Sequence, residues 1–325
     1  MAGDTRDDER ARRGKPEWPF VLFLLISLSL YLGLLVLIVA ANVVTFSWDG
    51  VWRLLQSEEI RASIRLTLVS CTITAILSVL VAVPVGYFLS RNPMRGRWLL
   101  GAVVDIPILL PPLVVGLSLL ILFNRVSPAV SLGLMALTFL AVAVVAKARG
   151  VVGWLLGLTA GALAVGGLLM AGGHDSLESA LGGAGFPVTF HPVAVVLAQF
   201  PVAAAFAIRT MQTTFDEIDP RFEEVAMSLG CHRGQAFSRV VLPMAGRGMV
   251  AAGTMAWARA LGEFGPVLVF AGAMRGRTEV LSTSIFLEIE TGNLAGAAGI
   301  ALVMIVMAVG TIVTVRVFLG RGGGK

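Results

Sequence analysis

Arg259 and Glu263 stand four residues apart inside a long apolar stretch, a spacing that puts both on one face of a helix. Charges at membrane depth are costly, so they usually pair with each other or face a cavity. Both readings stay open from the residues alone: a pair that locks a helix bundle, or a charge beside a polar pathway. Pro107, Pro111 and Pro112 interrupt a second apolar stretch. They either kink a helix or open its backbone so that N–H groups face a pathway; a kinked pathway helix is the reading adopted. Other chemistry is hard to find. His174, His191 and His232 lie far apart and make no metal-ligand spacing. No nucleophile–base pair is visible, and no GxxxxGK[ST] phosphate loop, so the chain carries no visible ATPase of its own. Cys71 falls in an apolar run and Cys231 in a polar loop, which argues against a disulfide between them.

The polar segment 209–247 reads as a built element. Asp219 is a good N-cap and Pro220 suits a first helical position. Phe222, Val225, Ala226 and Leu229 recur at helical spacing and make an apolar stripe. Glu223 and Glu224 fall near the positive end of the helix dipole. Gly230 can end the helix in a left-handed conformation without a Cβ penalty. A second short helical piece follows, with Ala236, Phe237, Val240 and Val241 available for packing, until Leu242 and Pro243. The expected product is a compact helix–turn–helix foot.

These residues must be carried by membrane helices. Of 325 residues, 57% are hydrophobic and only 14% charged, and the mean hydropathy is +0.87. A soluble domain carries roughly a quarter charged residues, so this chain has too little polar surface for a water-soluble fold. Eight apolar runs approach or exceed the ~20 residues a helix needs to cross a bilayer: 20–41, 64–90, 99–123, 128–146, 151–171, 190–208, 248–273 and 295–316. They lack period-2 alternation, which favours helices over strands. The expected fold is all-α, a polytopic membrane bundle of about eight helices. Residues 1–19 form a solvated N-terminal tail, 20–319 the membrane domain and 320–325 a C-terminal tail. The run 20–41 reads as an uncleaved first span. The segment between the first two spans, with Trp48 and Trp52, fits an outer interfacial helix.

With the N-terminus inside, eighteen Lys and Arg residues fall on the cytoplasmic side and six outside. That asymmetry obeys the positive-inside bias and puts both termini, and the foot, in the cytoplasm. It also accounts for the net charge of +5 without any nucleic-acid partner. The runs within 128–171 are rich in Gly, Ala and Val and form a hairpin suited to close packing. Removing that hairpin leaves every later segment on its side, and a lipid-facing accessory role is expected for it.

Glu224-Val225-Ala226, Gly230 and Val240-Val241-Leu242-Pro243 resemble the EAA loop of importer permeases of the ATP-binding-cassette (ABC) class. Its pattern is Glu-Ala-Ala, three residues, Gly, nine residues, Ile, one residue, Leu-Pro. Val225 and Val240 depart from it conservatively. The stretch Trp257 to Gly265, which includes Arg259, Glu263, Phe264 and Gly265, resembles that of molybdate, tungstate and sulfate permeases. So do Ile106 to Pro112 with Val115-Gly116, Val196 to Phe200, and Arg277-Thr278 followed by Leu281. The resemblance implies a type I importer-like fold with a six-helix core, from which the extra hairpin is the main departure.

It also implies partners. The foot would dock in a groove of a separate ATPase, present in two copies, which would hold the ATP and magnesium; no cofactor is expected in this chain. A second permease copy, a periplasmic or lipid-anchored oxyanion-binding protein and the lipid of a bacterial or archaeal inner membrane complete the set. Molybdate or tungstate is the cargo the resemblance favours, with sulfate or thiosulfate as alternative. Pro107, Pro111, Pro112, Arg259, Glu263, Phe264 and Gly265 would then line the pathway, where one positive side chain helps a dianion cross. A secondary transporter needing no ATPase predicts internal repeats and ionisable residues in several spans; no repeat is seen, and only Arg259, Glu263 and Asp105 stand at depth.

Overall fold

The computed structural model describes residues 18–44, 56–92, 97–145, 151–170 and 176–321. Trp48, Trp52 and both chain ends lie outside them. Helices dominate, and there is no strand among the described residues. Trp18–Val44, Glu58–Arg91, Pro192–Glu217 and Leu294–Arg321 each contain a stretch long and apolar enough to cross a membrane. The bundle is all-α, as composition and periodicity predict.

Three helices make the centre. Glu58–Arg91 packs along Pro192–Glu217, and Gly246–Leu261 lies against both. Their contact surfaces are built from small residues: Ala75 and Ala82, Ala203 and Ala207, Ala252 and Ala256 are all buried. Hydrocarbon supplies no hydrophobic drive between helices, so close backbone approach through small residues gives the attraction. At the end of this trio nearest segment 218–244 the filling changes to Met211, Phe215 and Leu89. Thr74 donates to Gln199 Oε1 at 3.1 Å in the buried middle of the first pair, satisfying a polar group that lipid could not.

Around that centre the expected spans change shape. The run 99–123 is not one kinked helix: Arg97–Leu109 and Pro112–Arg125 meet at 101°. Pro111 is extended at the junction (φ −54°, ψ 134°), and neither Pro111 nor Pro112 has an N–H to continue the ladder. The run 248–273 breaks as well. Its helix ends at Leu261, Gly262 to Phe264 break it, and Gly265 and Pro266 start a new helical piece that continues as the π-helical Val267–Ala271. Conversely, the run 190–208 continues as helix to Glu217. In its polar last turns the Thr210, Thr213 and Thr214 hydroxyls each bond back to the carbonyl four residues earlier, so the helix satisfies its own polar side chains.

The hairpin forms from Pro128–Val145 and Val151–Met170, which pack on one another. It joins the rest mainly through the short helix Leu177–Gly183, and Leu134, Leu137 and Leu140 face outward. The first helix, Trp18–Val44, is exposed along nearly its whole length and lies beside the last one. Both are shaped for lipid rather than for the core.

Candidate functional site

The foot is a short helix, Arg221–Ser228, followed by Arg233–Ala236, a π-helical turn Phe237–Val241 and Leu242–Met244. It starts one residue later than the capping pattern predicts. Pro220, not Asp219, takes the cap position, while Asp219 Oδ1 accepts from the Arg221 N–H at 2.9 Å. This short-range side-chain turn still satisfies a free N–H of the first turn. At the far end Gly230 has φ +91°, with open space where a Cβ would stand. The Cys231 N–H then reaches back to the Ala226 carbonyl at 3.1 Å, which closes the helix end. Pro243 does not stop the second piece. It sits in the first turn of Leu242–Met244, where a missing N–H costs nothing, and the helical path runs on.

The foot helix has two different faces. Phe222, Val225 and Leu229 are 50%, 58% and 81% exposed, so the apolar stripe points outward. Ala226 is buried beneath it, and Glu224 is exposed beside it. Glu223 turns the other way. Its Oε1 accepts from Arg91 Nε at 2.6 Å and its Oε2 from the Tyr87 hydroxyl at 2.7 Å. Ala236 and Val241 are buried and Val240 half-buried, so the second piece seats the foot on the bundle.

The pathway candidates form a second constellation where the two broken spans cross. A Cβ on Gly265 would come within 3.0 Å of Pro112 Cβ, and one on Gly116 within 2.6 Å of Pro266 Cα. Only glycine lets the two broken backbones approach this closely. Phe264 packs on Phe286 with ring centroids 5.4 Å apart, and its carbonyl accepts from the Leu268 N–H at 2.9 Å. Glu263 lies just past the helix end. Its carbonyl accepts from the Ser282 hydroxyl at 3.1 Å, and its carboxylate pairs with Arg259 at 3.5 Å. The pair is lopsided: the Glu263 side chain is 2% exposed and that of Arg259 38%. The guanidinium also lies over the Phe206 ring, 5.7 Å from its centroid. Pro111 and Pro112 are exposed beside the crossing, and Pro107 is half-buried within its own helix.

Sequence reading missed the partners of both constellations. Tyr87 and Arg91 sit one helical turn apart at the end of the second span, a spacing visible in the chain. Their partner Glu223 lies more than 130 residues away, and no local pattern indicates it. The sequence pattern puts Arg209 at the start of a polar loop. It stands within the helix Pro192–Glu217, where it forms a forked pair with Asp105 and donates to Gln212 at 2.8 Å and to the Gly101 carbonyl at 2.9 Å. No cluster of His, Cys, Asp and Glu able to hold a metal occurs among the described residues.

A broken-helix membrane bundle with a foot at one end defines a transport subunit, and residues 82–319 match the model of the family described as binding-protein-dependent transport system inner membrane component. The chain belongs to that family. It is 27% identical over 306 residues to the sulfate transport system permease protein CysT of Escherichia coli, covering 94% of this chain and 91% of that one. It is 32% identical over 250 residues to the probable molybdenum ABC transporter permease protein of Haloferax volcanii, covering 77% and 72%. The molybdate/tungstate transport system permease protein WtpB of Thermococcus kodakarensis is 27% identical over 259 residues, covering 80% and 78%. The fold also matches a chain of a bacterial alginate ABC transporter, crystallised in complex with its alginate pentasaccharide-bound periplasmic protein. There the TM-score is 0.63 and the identity 16%, with 98% of both chains covered.

Proposed function

We propose that the chain is the membrane-spanning subunit of an ATP-driven importer of tetrahedral oxyanions, with molybdate or tungstate as cargo. The observation that carries this reading is the outward apolar stripe Phe222, Val225 and Leu229 on a helix whose other face is tied down. An apolar helix face held rigid and clear of its own protein is the form a groove recognises. Its occupant is a separate ATPase on the cytoplasmic side, two copies serving two permease copies. The charge asymmetry of the sequence supports that placement and the cytoplasmic position of both termini.

Cargo rests on different support. The relative at 32% identity is a molybdenum permease by description, and another is described for molybdate and tungstate. At the crossing of the broken spans, Arg259 keeps a half-exposed positive charge next to a carboxylate that is itself buried. A single accessible cation attracts a dianion without binding it so tightly that release is slow. Affinity then belongs to an external binding protein. Sulfate is the second reading, favoured by the sulfate permease that aligns over 94% of the chain. Uptake of labelled molybdate, tungstate and sulfate by vesicles holding the permease, its ATPase and its binding protein tests the choice. The proposal expects molybdate or tungstate to be taken up at concentrations where sulfate competes weakly. Uptake of sulfate alone would overturn the cargo.

A further inference from the structure

One turn of the second span grips the foot at three places. Arg91 Nη2 donates to the Ile218 carbonyl at 2.7 Å, just before the foot begins. Arg91 Nε and the Tyr87 hydroxyl both donate to the Glu223 carboxylate in its first turn. The Tyr87 ring packs on Phe237, at the exit, with centroids 4.5 Å apart, and on Phe215 edge-to-face at 5.5 Å. The Arg91 and Glu223 side chains are only 13% and 12% exposed, so the ion pair is largely shielded from water and from screening salt.

Little else joins the foot helix to this span. Beside the clamp lies a cavity of about 500 Å³, walled by Pro84 and Phe88 on the span and by Pro220, Met227 and Arg233 on the foot. The foot helix packs instead on its own following turns. The direct link from the foot helix to Glu58–Arg91 is therefore the polar clamp; a second, apolar route runs indirectly through Phe237 and Val241 of the following turns, which share a cluster with Tyr87 and Leu89.

We propose that Tyr87 and Arg91 are positioning residues that make Glu58–Arg91 the lever of the foot: they hold Glu223 so that displacement of the docked foot moves the second span. The helix they end is the one packed most extensively on Pro192–Glu217, so a movement of its inner end is transmitted into the bundle centre. This rests on the reading of the foot as an ATPase dock. A clamp that served only to fold the foot would alter assembly and leave the coupling ratio of an assembled complex untouched.

The test is the number of molybdate ions imported per ATP hydrolysed, measured on the reconstituted permease–ATPase complex with its binding protein. Arg91→Gln should lower that ratio about tenfold and Tyr87→Phe less, about threefold, because Arg91 supplies the counter-charge and two hydrogen bonds while Tyr87 supplies one hydrogen bond to the carboxylate. The double exchange Arg91→Glu with Glu223→Arg should recover most of the ratio. An Arg91→Gln complex that imports as many ions per ATP as the parent would overturn the proposal. Should Arg91→Gln fail to assemble, Tyr87→Phe, which removes one hydroxyl, decides in the same way. Phe222→Asp separates the two claims. If that variant keeps its ATPase, the docking reading fails; if it loses the ATPase while the Arg91 and Tyr87 variants keep their ratio, only the lever fails.

Discussion

The foot and the crossing of the broken spans contain similar residues and use them in opposite ways. Each has an arginine paired to a glutamate and each has glycines at a chain reversal. In the foot, Arg91 and Glu223 are buried to nearly the same extent, and their pair is completed by Tyr87 and a backbone carbonyl. At the crossing, Glu263 is buried while Arg259 is half-exposed, and neither Glu263 Oε1 nor Arg259 Nε has a hydrogen-bond partner among the described residues. A saturated pair fixes geometry. An unsaturated pair with one accessible cation keeps capacity for another anion. On the proposed function, transmission falls to the first and cargo contact to the second.

Removing Arg259 should break that comparison most severely. Arg259→Ala leaves the Glu263 carboxylate buried without its counter-charge, which should lower the stability of the membrane domain by about 3 kcal/mol. Denaturant unfolding in detergent measures it. The double variant Arg259→Gln with Glu263→Gln should recover most of that stability and still transport poorly, because the cation is gone. Normal transport by the double variant would reduce the pair to a structural lock.

The outward stripe comes next. Phe222→Asp with Val225→Asp removes two apolar side chains from a docked face, and affinity for the ATPase should fall about 100-fold. Co-purification at rising detergent dilution reads this directly. Gly230→Ala meets open space but must hold φ +91°, a conformation costing about 1–2 kcal/mol for a residue with a Cβ. The expected result is a loosened foot and a several-fold lower transport rate, with the membrane domain as stable as before.

The smallest effect is expected outside both regions. Glu279, in the loop after the second break, is 4% exposed. Burial lifts its carboxyl above the ordinary range; Glu59 and Glu288 add to the shift, and Ser284 and Arg275 oppose it. The folded protein then keeps this proton at pH values where the unfolded chain has lost it. Its contribution is complete below the ordinary carboxyl range and is lost as pH rises through the raised value. Melting temperature should decline modestly over that window, and Glu279→Gln should flatten the decline.

Local patterns in the chain carried the fold class and the foot. Spans follow from run length, and the foot from Asp219, the apolar stripe and Gly230, each acting on neighbours within one helical turn. What lay hidden depends on distant contacts. The sharp break at Pro111 and the end of the helix at Leu261 are fixed by the mutual approach of Gly116, Pro112, Gly265 and Pro266, which no single stretch reveals. The extra turns from Arg209 to Glu217 looked like loop because they are polar. They are helical, with Arg209 held by the distant Asp105 and the threonine hydroxyls satisfied within their own helix. Glu223 looked like a dipole-compensating surface carboxylate, and its partners on the second span give it a different place.

On the proposed function, a separate ATPase drives transport through the foot. Uptake of labelled molybdate into proteoliposomes containing permease, ATPase and binding protein, with and without ATP, tests it most directly when repeated with Phe222→Asp and Val225→Asp together. ATP-dependent accumulation is expected in the parent and none in the variant, whose membrane domain should unfold at the parent's denaturant midpoint. Accumulation without ATP, or full ATP-driven uptake by the variant, would contradict it.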